Sequence, residues 1–213
     1  PMSWILGNTD RLMDARFAAA AGAERLVLSL DADAGAWNEI SGWVAGPDLW
    51  LMATPALAEP GPGWTERFLE CKGLYCRDSA VWEGMESLGD AFALEMPGWA
   101  LELSPDVLGR LRNKGGWGSR MPDWLVVDPW ALDAVDGAFV GGVSGPNLRW
   151  FALVSIKPGA DAGDADQLAQ RLKDLAQEIG SACAGLYFEA KPGQDSEYVT
   201  MEDWLDAMEG RFA

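Results

Sequence analysis

Eight short apolar runs, separated by turn- or helix-forming stretches, limit the folds open to this sequence more than any other feature. They cover residues 3–7, 25–30, 49–53, 73–77, 99–103, 124–128, 150–156 and 185–190, with starts 22 to 35 residues apart. Runs of this length, rich in Val, Leu, Ile, Trp and Tyr, suit strands buried on both faces. The segments between them carry helix signals. Residues 10–21 are alanine-rich and stop at Gly22, a helix followed by a C-terminal glycine. Ser104 before Pro105 and Asp106 is an N-cap with proline at the first helical position. Leu168, Leu172, Leu175 and Ile179 form one apolar stripe that ends at Gly180. Thr200 and Asp203 read as a capping box for a last helix carrying Trp204, Leu205, Met208 and Phe212.

Strands alternating with helices predict a parallel sheet. Eight such units in one domain, residues 2–213, predict an α/β fold of the (β/α)8 TIM-barrel kind, minimal or slightly irregular. An open doubly wound sheet is the alternative, but neither GxGxxG nor a P-loop is present to support its usual nucleotide function. Two stretches fit the alternation less well. Residues 92–96 and 99–103 flank Pro97-Gly98 and could pair as a hairpin instead of a helix and a strand. Residues 131–147 hold Gly137, Gly141, Gly142, Gly145 and Pro146, so a short helix or a loop is expected there.

Three counts restrict the chemistry. The chain has no histidine, which removes Ser-His-Asp triads, Cys-His pairs and His-ligated zinc, and leaves proton transfer to Asp, Glu, Cys, Lys or Tyr. Its net charge is −17, which argues against a nucleic-acid or anionic-membrane partner. It has 12 tryptophans, read as core filling with a few available to line a pocket. Cys71, Cys76 and Cys183 show no CxxC spacing, so structural thiols in a reducing, cytoplasmic setting are expected. No apolar run approaches the roughly 20 residues of a membrane span. No signal peptide is expected, and Pro1 before Met2 reads as a tag remnant. Neither a metal nor a cofactor is expected.

In a barrel, chemistry belongs at the C-terminal ends of the strands. Those positions hold Asn8 and Thr9, Asp31 and Asp33, Thr54, Arg77 and Asp78, Glu102 and Ser104, Asp128, Lys157, and Glu189 with Lys191. Asp33 and Asp78 can equally cap turns or helices. Asp128 closes a strand just before Pro129 and is expected to face the mouth. The loops after the last two runs echo each other: Lys157-Pro158-Gly159 and Lys191-Pro192-Gly193. Lys157, Gly159, Lys191 and Gly193 are therefore the candidate phosphate-binding residues.

The first unit resembles phosphoribosylanthranilate isomerase, whose chains open with a strand ending Cys-Gly-Ile-Thr, an Asp-Ala helix, then Ala-Gly-Ala-Asp and an apolar strand. Here the matching residues are Leu6-Gly7-Asn8-Thr9, Asp14-Ala15, Ala21-Gly22-Ala23-Glu24 and Leu26-Val27-Leu28. Val126-Val127-Asp128 is similar to that family's sixth strand, whose aspartate is the general acid. The resemblance implies a (β/α)8 barrel and a general-acid role for Asp128. Three differences accompany it: Leu6 stands where the family has its catalytic cysteine, one extra residue lies between Thr9 and Asp14, and Lys-Pro-Gly segments replace the glycine-rich phosphate loops.

Three functions follow as expectations. The first is an isomerase or lyase acting on a small phosphorylated metabolite, with Asp128 as acid and Glu102 or Asp31 as base; efficient phosphoribosylanthranilate isomerase activity is not expected. The second is a non-catalytic barrel of the same descent, binding a protein partner or assembling as a homo-oligomer. The third is a carbohydrate-active barrel with paired carboxylates and tryptophan platforms.

Overall fold

The computed structural model describes residues 2–29, 32–53, 70–87, 98–118, 120–155, 161–191 and 196–212. Eight parallel strands close into a barrel in sequence order, β1 to β8, with β8 pairing back onto β1. The strands are β1 Ser3–Thr9, β2 Arg25–Leu28, β3 Asp48–Met52, β4 Gly73–Cys76, β5 Trp99–Glu102, β6 Trp124–Val127, β7 Trp150–Val154 and β8 Cys183–Glu189. Each falls on one of the eight apolar runs. The helices among the described residues are α1 Leu12–Ala20, α2 Ala34–Ser41, α3 Ser79–Ser87, α4 Pro105–Lys114, α5 Ala134–Ser144, α6 Ala162–Ile179 and α7 Tyr198–Met208. None is long and apolar enough to cross a membrane. β5 lies in parallel between β4 and β6, so it is a full member of the barrel; residues 92–96, the other arm of the alternative hairpin, lie outside the described residues.

Period-two alternation divides each strand between two cores. Ile5, Val27, Trp50, Met52, Tyr75, Ala100, Trp124, Val126, Phe151 and Tyr187 fill the barrel interior. Their neighbours, such as Leu6, Leu26, Leu51, Leu101, Leu125 and Leu186, pack outward against the helices. The interior is unusually aromatic. Tyr75 stacks on Trp124 at 5.4 Å and on Tyr187 at 5.5 Å, and Trp124 meets Trp50 and Phe151 edge-on at 5.1 and 5.8 Å. Small residues make room for the rings. A Cβ at Gly7 would lie 1.8 Å from the Tyr187 hydroxyl oxygen, and one at Gly73 would lie 2.6 Å from the Trp50 ring.

The outer tryptophans clip loops to the sheet. Trp99 Nε1 donates to Met121 O at 3.1 Å, Trp150 Nε1 to Ser181 O at 2.8 Å, and Trp117 Nε1 to Ser144 Oγ at 2.8 Å. Each buries a large apolar ring while satisfying its one donor. At the base of the barrel, Arg25 lies beneath Trp124 and Phe151, 5.4 Å from each ring centre. Glu24 holds it at 2.8 Å, holds Arg149 at 2.7 Å and accepts a bond from Ser3 Oγ.

Several caps form as the sequence indicates. Ser104 Oγ accepts from Val107 N at 3.2 Å, Asp33 from Ala36 N at 2.7 Å and Asp78 from Val81 N at 2.7 Å. Two local expectations fail. Residues 134–144 form a three-turn helix, because Asp133 caps it through Asp136 N at 2.8 Å and its glycines serve packing. A Cβ at Gly141 would stand 2.0 Å from Ile179 O on α6, so glycine lets the two helix backbones touch. The last helix begins at Tyr198, ahead of Thr200, which is buried inside it and caps nothing.

These contacts set opposite outcomes for two adjacent glycines. Gly141→Ala should lower stability by about 1–3 kcal/mol through overpacking against α6. Gly142→Ala, with nothing within 4 Å of the new Cβ, should raise it by roughly 0.5–1 kcal/mol. Urea melts of both variants check the pair.

Candidate functional site

At the C-terminal end of the barrel, the next inward position on four strands carries a charge. Tyr75 is followed two residues on by Arg77, Ala100 by Glu102, Val126 by Asp128 and Tyr187 by Glu189. The alternation that buries an aromatic or small residue at one level raises a charged residue at the level above. Arg77 reaches across the mouth to an ion pair with Glu189, and its Nε lies 3.9 Å from Glu102 Oε2. Burial by itself would lower the Arg77 pKa, but Glu189 and Glu102 outweigh it and raise the value. Glu102 is pushed above its ordinary value of 4.5, first by burial and then by Glu189 and Asp128, against the pull of Arg77.

Asp128 is half-buried and shapes the turn that leaves β6. Its Oδ1 accepts from Trp130 N at 3.0 Å, and its main-chain oxygen accepts from Ala131 N at 3.2 Å and Leu132 N at 3.3 Å. It therefore combines a turn-forming role with its position at the strand end. Trp130, next but one, is the exposed tryptophan of this loop, at 65%.

The end of β1 is irregular. Asn8 has φ 58°, the one positive φ outside glycine among the described residues, and the pairing with β2 slips between Leu6 and Thr9. Such a bulge redirects the strand end. Here it turns Thr9 into the protein, where Thr9 Oγ1 donates to Asp14 Oδ2 at 3.0 Å and Tyr198 donates its hydroxyl to Asp14 Oδ1. Thr9 and Asp14 are thus tied to α7. Leu6 is fully buried among residues facing the helices, while the inward positions of β1 are Ile5 and Gly7. The residue that stands for the isomerase cysteine in the sequence match does not face the mouth.

Beneath the charged level, the Tyr75 and Tyr187 hydroxyls are buried and interact with each other, but neither has a hydrogen bond of normal geometry to another described group. An unpaired buried polar group costs about 1–3 kcal/mol. The sequence reading did not single out these phenols, nor the joining of Arg77 to Glu189. The available signal was the period-two spacing from tyrosine to charge, Tyr75–Arg77 and Tyr187–Glu189.

The structure thus gathers Glu102 and Asp128, two of the expected acid–base residues, with Arg77 and Glu189, which the sequence placed at strand ends without a role. Lys191 is exposed just past β8. Asp31, Lys157, Gly159 and Gly193, with Thr54, lie outside the described residues. Burial pushes the Cys71, Cys76 and Cys183 thiols up to about 12, so at neutral pH they are protonated and poor nucleophiles. Among the described residues, no three His, Cys, Asp or Glu side chains are grouped so as to hold a metal ion. Compared with known protein families and with curated proteins, the chain matches none.

Two outcomes follow from these positions. A carboxyl whose pKa is raised on folding adds stability that is complete below pH 4.5 and is lost as the pH rises through the folded-state value. Glu102→Gln should therefore equal wild type near pH 4 and become the more stable protein towards about pH 8, in urea melts across that range; parallel curves would count against a raised Glu102 pKa. Leu6→Cys should lose about 1–3 kcal/mol, as large-to-small core changes do. It should add no thiol that an aromatic disulfide reagent can titrate in the native state.

Proposed function

We propose that the barrel mouth is the active site of an isomerase- or lyase-type enzyme that moves a proton next to the carbonyl group of a small anionic metabolite, a phosphorylated one in the first instance. The observation that carries this reading is the half-buried Glu102, its pKa raised, beside Asp128 and Glu189 at the strand ends where barrel enzymes keep their catalytic groups. Proton transfer at neutral pH needs one carboxyl that holds its proton and one that does not. Burial suits Glu102 to the first role, which exchanges the parts expected from sequence: Glu102 becomes the acid and Asp128 the base. Asp128 takes the proton from the carbon beside the carbonyl, and that C–H electron pair forms the new C=C bond. The carbonyl π pair moves onto oxygen, which takes the proton from Glu102. The resulting enediol returns along the other side to the isomer, or expels a leaving group. Arg77, with the exposed Lys191 nearby, supplies positive charge for the anionic group of the substrate.

A non-catalytic barrel is the second reading. It is favoured by the existing neutralisation of Arg77 by Glu189 and Glu102 and by the aromatic floor directly below. Solvent exchange separates the two. The protein is incubated in D2O with a panel of aldose and ketose phosphates and of 2-oxo acids, and proton NMR follows the signal next to the carbonyl. Wild type should exchange deuterium into at least one of them, and Glu102→Gln should slow this by about 10²–10⁴-fold. No exchange into any of them would favour the binding protein.

A further inference from the structure

Tyr75 and Tyr187 are fully buried, and their hydroxyls interact with each other but make no hydrogen bond of normal geometry to any other described group. Phenylalanine would fill the same space in the aromatic interior without a polar atom to satisfy. The two rings stack at 5.5 Å from opposite sides of the barrel, and each hydroxyl affects the ionisation of the other. The height of Tyr187 in the barrel is set against Gly7. A Cβ there would lie 1.8 Å from the Tyr187 oxygen, so this hydroxyl occupies the space of the missing β1 side chain. Gly7 is in register with Glu189, which places the Tyr187 hydroxyl at the lower edge of the charged mouth. Glu102 and Arg77 act on both phenols electrostatically, and Glu189 acts on Tyr187.

We infer that the Tyr187 and Tyr75 hydroxyls are the hydrogen-bond donors that receive the carbonyl oxygen of the substrate at the floor of the mouth, an inference that rests on the proton-transfer reading above. Burial raises both phenols far above 10, so they stay protonated and act as donors. Neutral donors in a dry site stabilise charge as it builds on oxygen and need no rearrangement to do so. The Arg77–Glu189 bridge spans the mouth above them. A ligand reaches the phenols by replacing Glu189 on Arg77, which selects a small carbonyl compound with its own anionic group. Phosphate and carboxylate share this property.

Tyr187→Phe and Tyr75→Phe test the inference, with two probes that imitate an enediolate: phosphoglycolohydroxamate for the phosphate arm and oxalate for the carboxylate arm. Trp50 and Trp124 beside the phenols report binding by fluorescence. Wild type should bind one probe, and which one identifies the anionic group. Tyr187→Phe should weaken that binding at least tenfold, with a smaller loss for Tyr75→Phe, while the melting temperature of each variant stays level or rises. A fall of several degrees would show that the hydroxyls are structural and would overturn the inference. Unchanged probe affinity in both variants, or no binding of either probe to wild type, would overturn it as well. The deuterium assay keeps the two ideas apart. Exchange that survives Tyr187→Phe at full rate and is lost in Glu102→Gln sinks the phenol role alone. Probe binding that depends on Tyr187, without exchange in wild type, sinks the proton-transfer reading and leaves a carbonyl-binding site.

Discussion

Tyr75, stacked between Trp124 and Tyr187 inside the barrel, is the contact on which the rest of the arrangement depends. Three large rings from three strands share the narrow interior of an eight-stranded barrel, together with Trp50 and Phe151. That volume is available only because Gly7, Gly73 and Ala100 take inward positions where other barrels place branched side chains. The rings make the interior solid, and the polar atoms described there belong to the rings themselves. Charge is confined to the two ends, where strands meet water: Arg25, Glu24 and Arg149 at the base, Arg77, Glu102, Asp128 and Glu189 at the mouth.

The two ends use charge differently. At the base, Glu24 joins Arg25, Arg149 and Ser3 into a compact plug, and Arg25 lies over aromatic faces. Such an end reads as structural support. At the mouth, among the described residues, Arg77 lies with Glu102, Asp128 and Glu189, and burial raises the Glu102 pKa. In a chain with net charge −17, surface carboxylates are abundant and individually uninformative. The position of Glu102 directly above a sealed aromatic floor separates it from the rest.

The resemblance to phosphoribosylanthranilate isomerase predicted the fold, and a closed (β/α)8 barrel is what the chain forms. The barrel alone does not carry that enzyme's chemistry. Leu6, aligned with the family's catalytic cysteine, packs toward α1, and the inward neighbour Gly7 is filled by the Tyr187 ring. The charged groups described at the mouth come from the ends of β4, β5, β6 and β8, not from the end of β1. Asp128 keeps the place the resemblance assigns to it, with an added duty as a turn former.

The sequence by itself determined the eight strands, their parallel order and most of the caps, because hydrophobic period and capping chemistry are local properties. It also named Glu102 and Asp128, since a charge two residues beyond an inward apolar position can emerge only at a strand end. It misjudged residues 131–147, where glycines that look like helix breakers are contact points for α6, and Thr200, where a cap signal lies inside a helix. Both depend on a neighbour distant in the chain. Tertiary structure alone decided that Arg77 crosses to Glu189, that Gly7 makes room for Tyr187, that Leu6 turns away from the mouth and that burial raises the Glu102 pKa. Each of those follows from the closure of the barrel, which brings β4 and β8 face to face and excludes water between them.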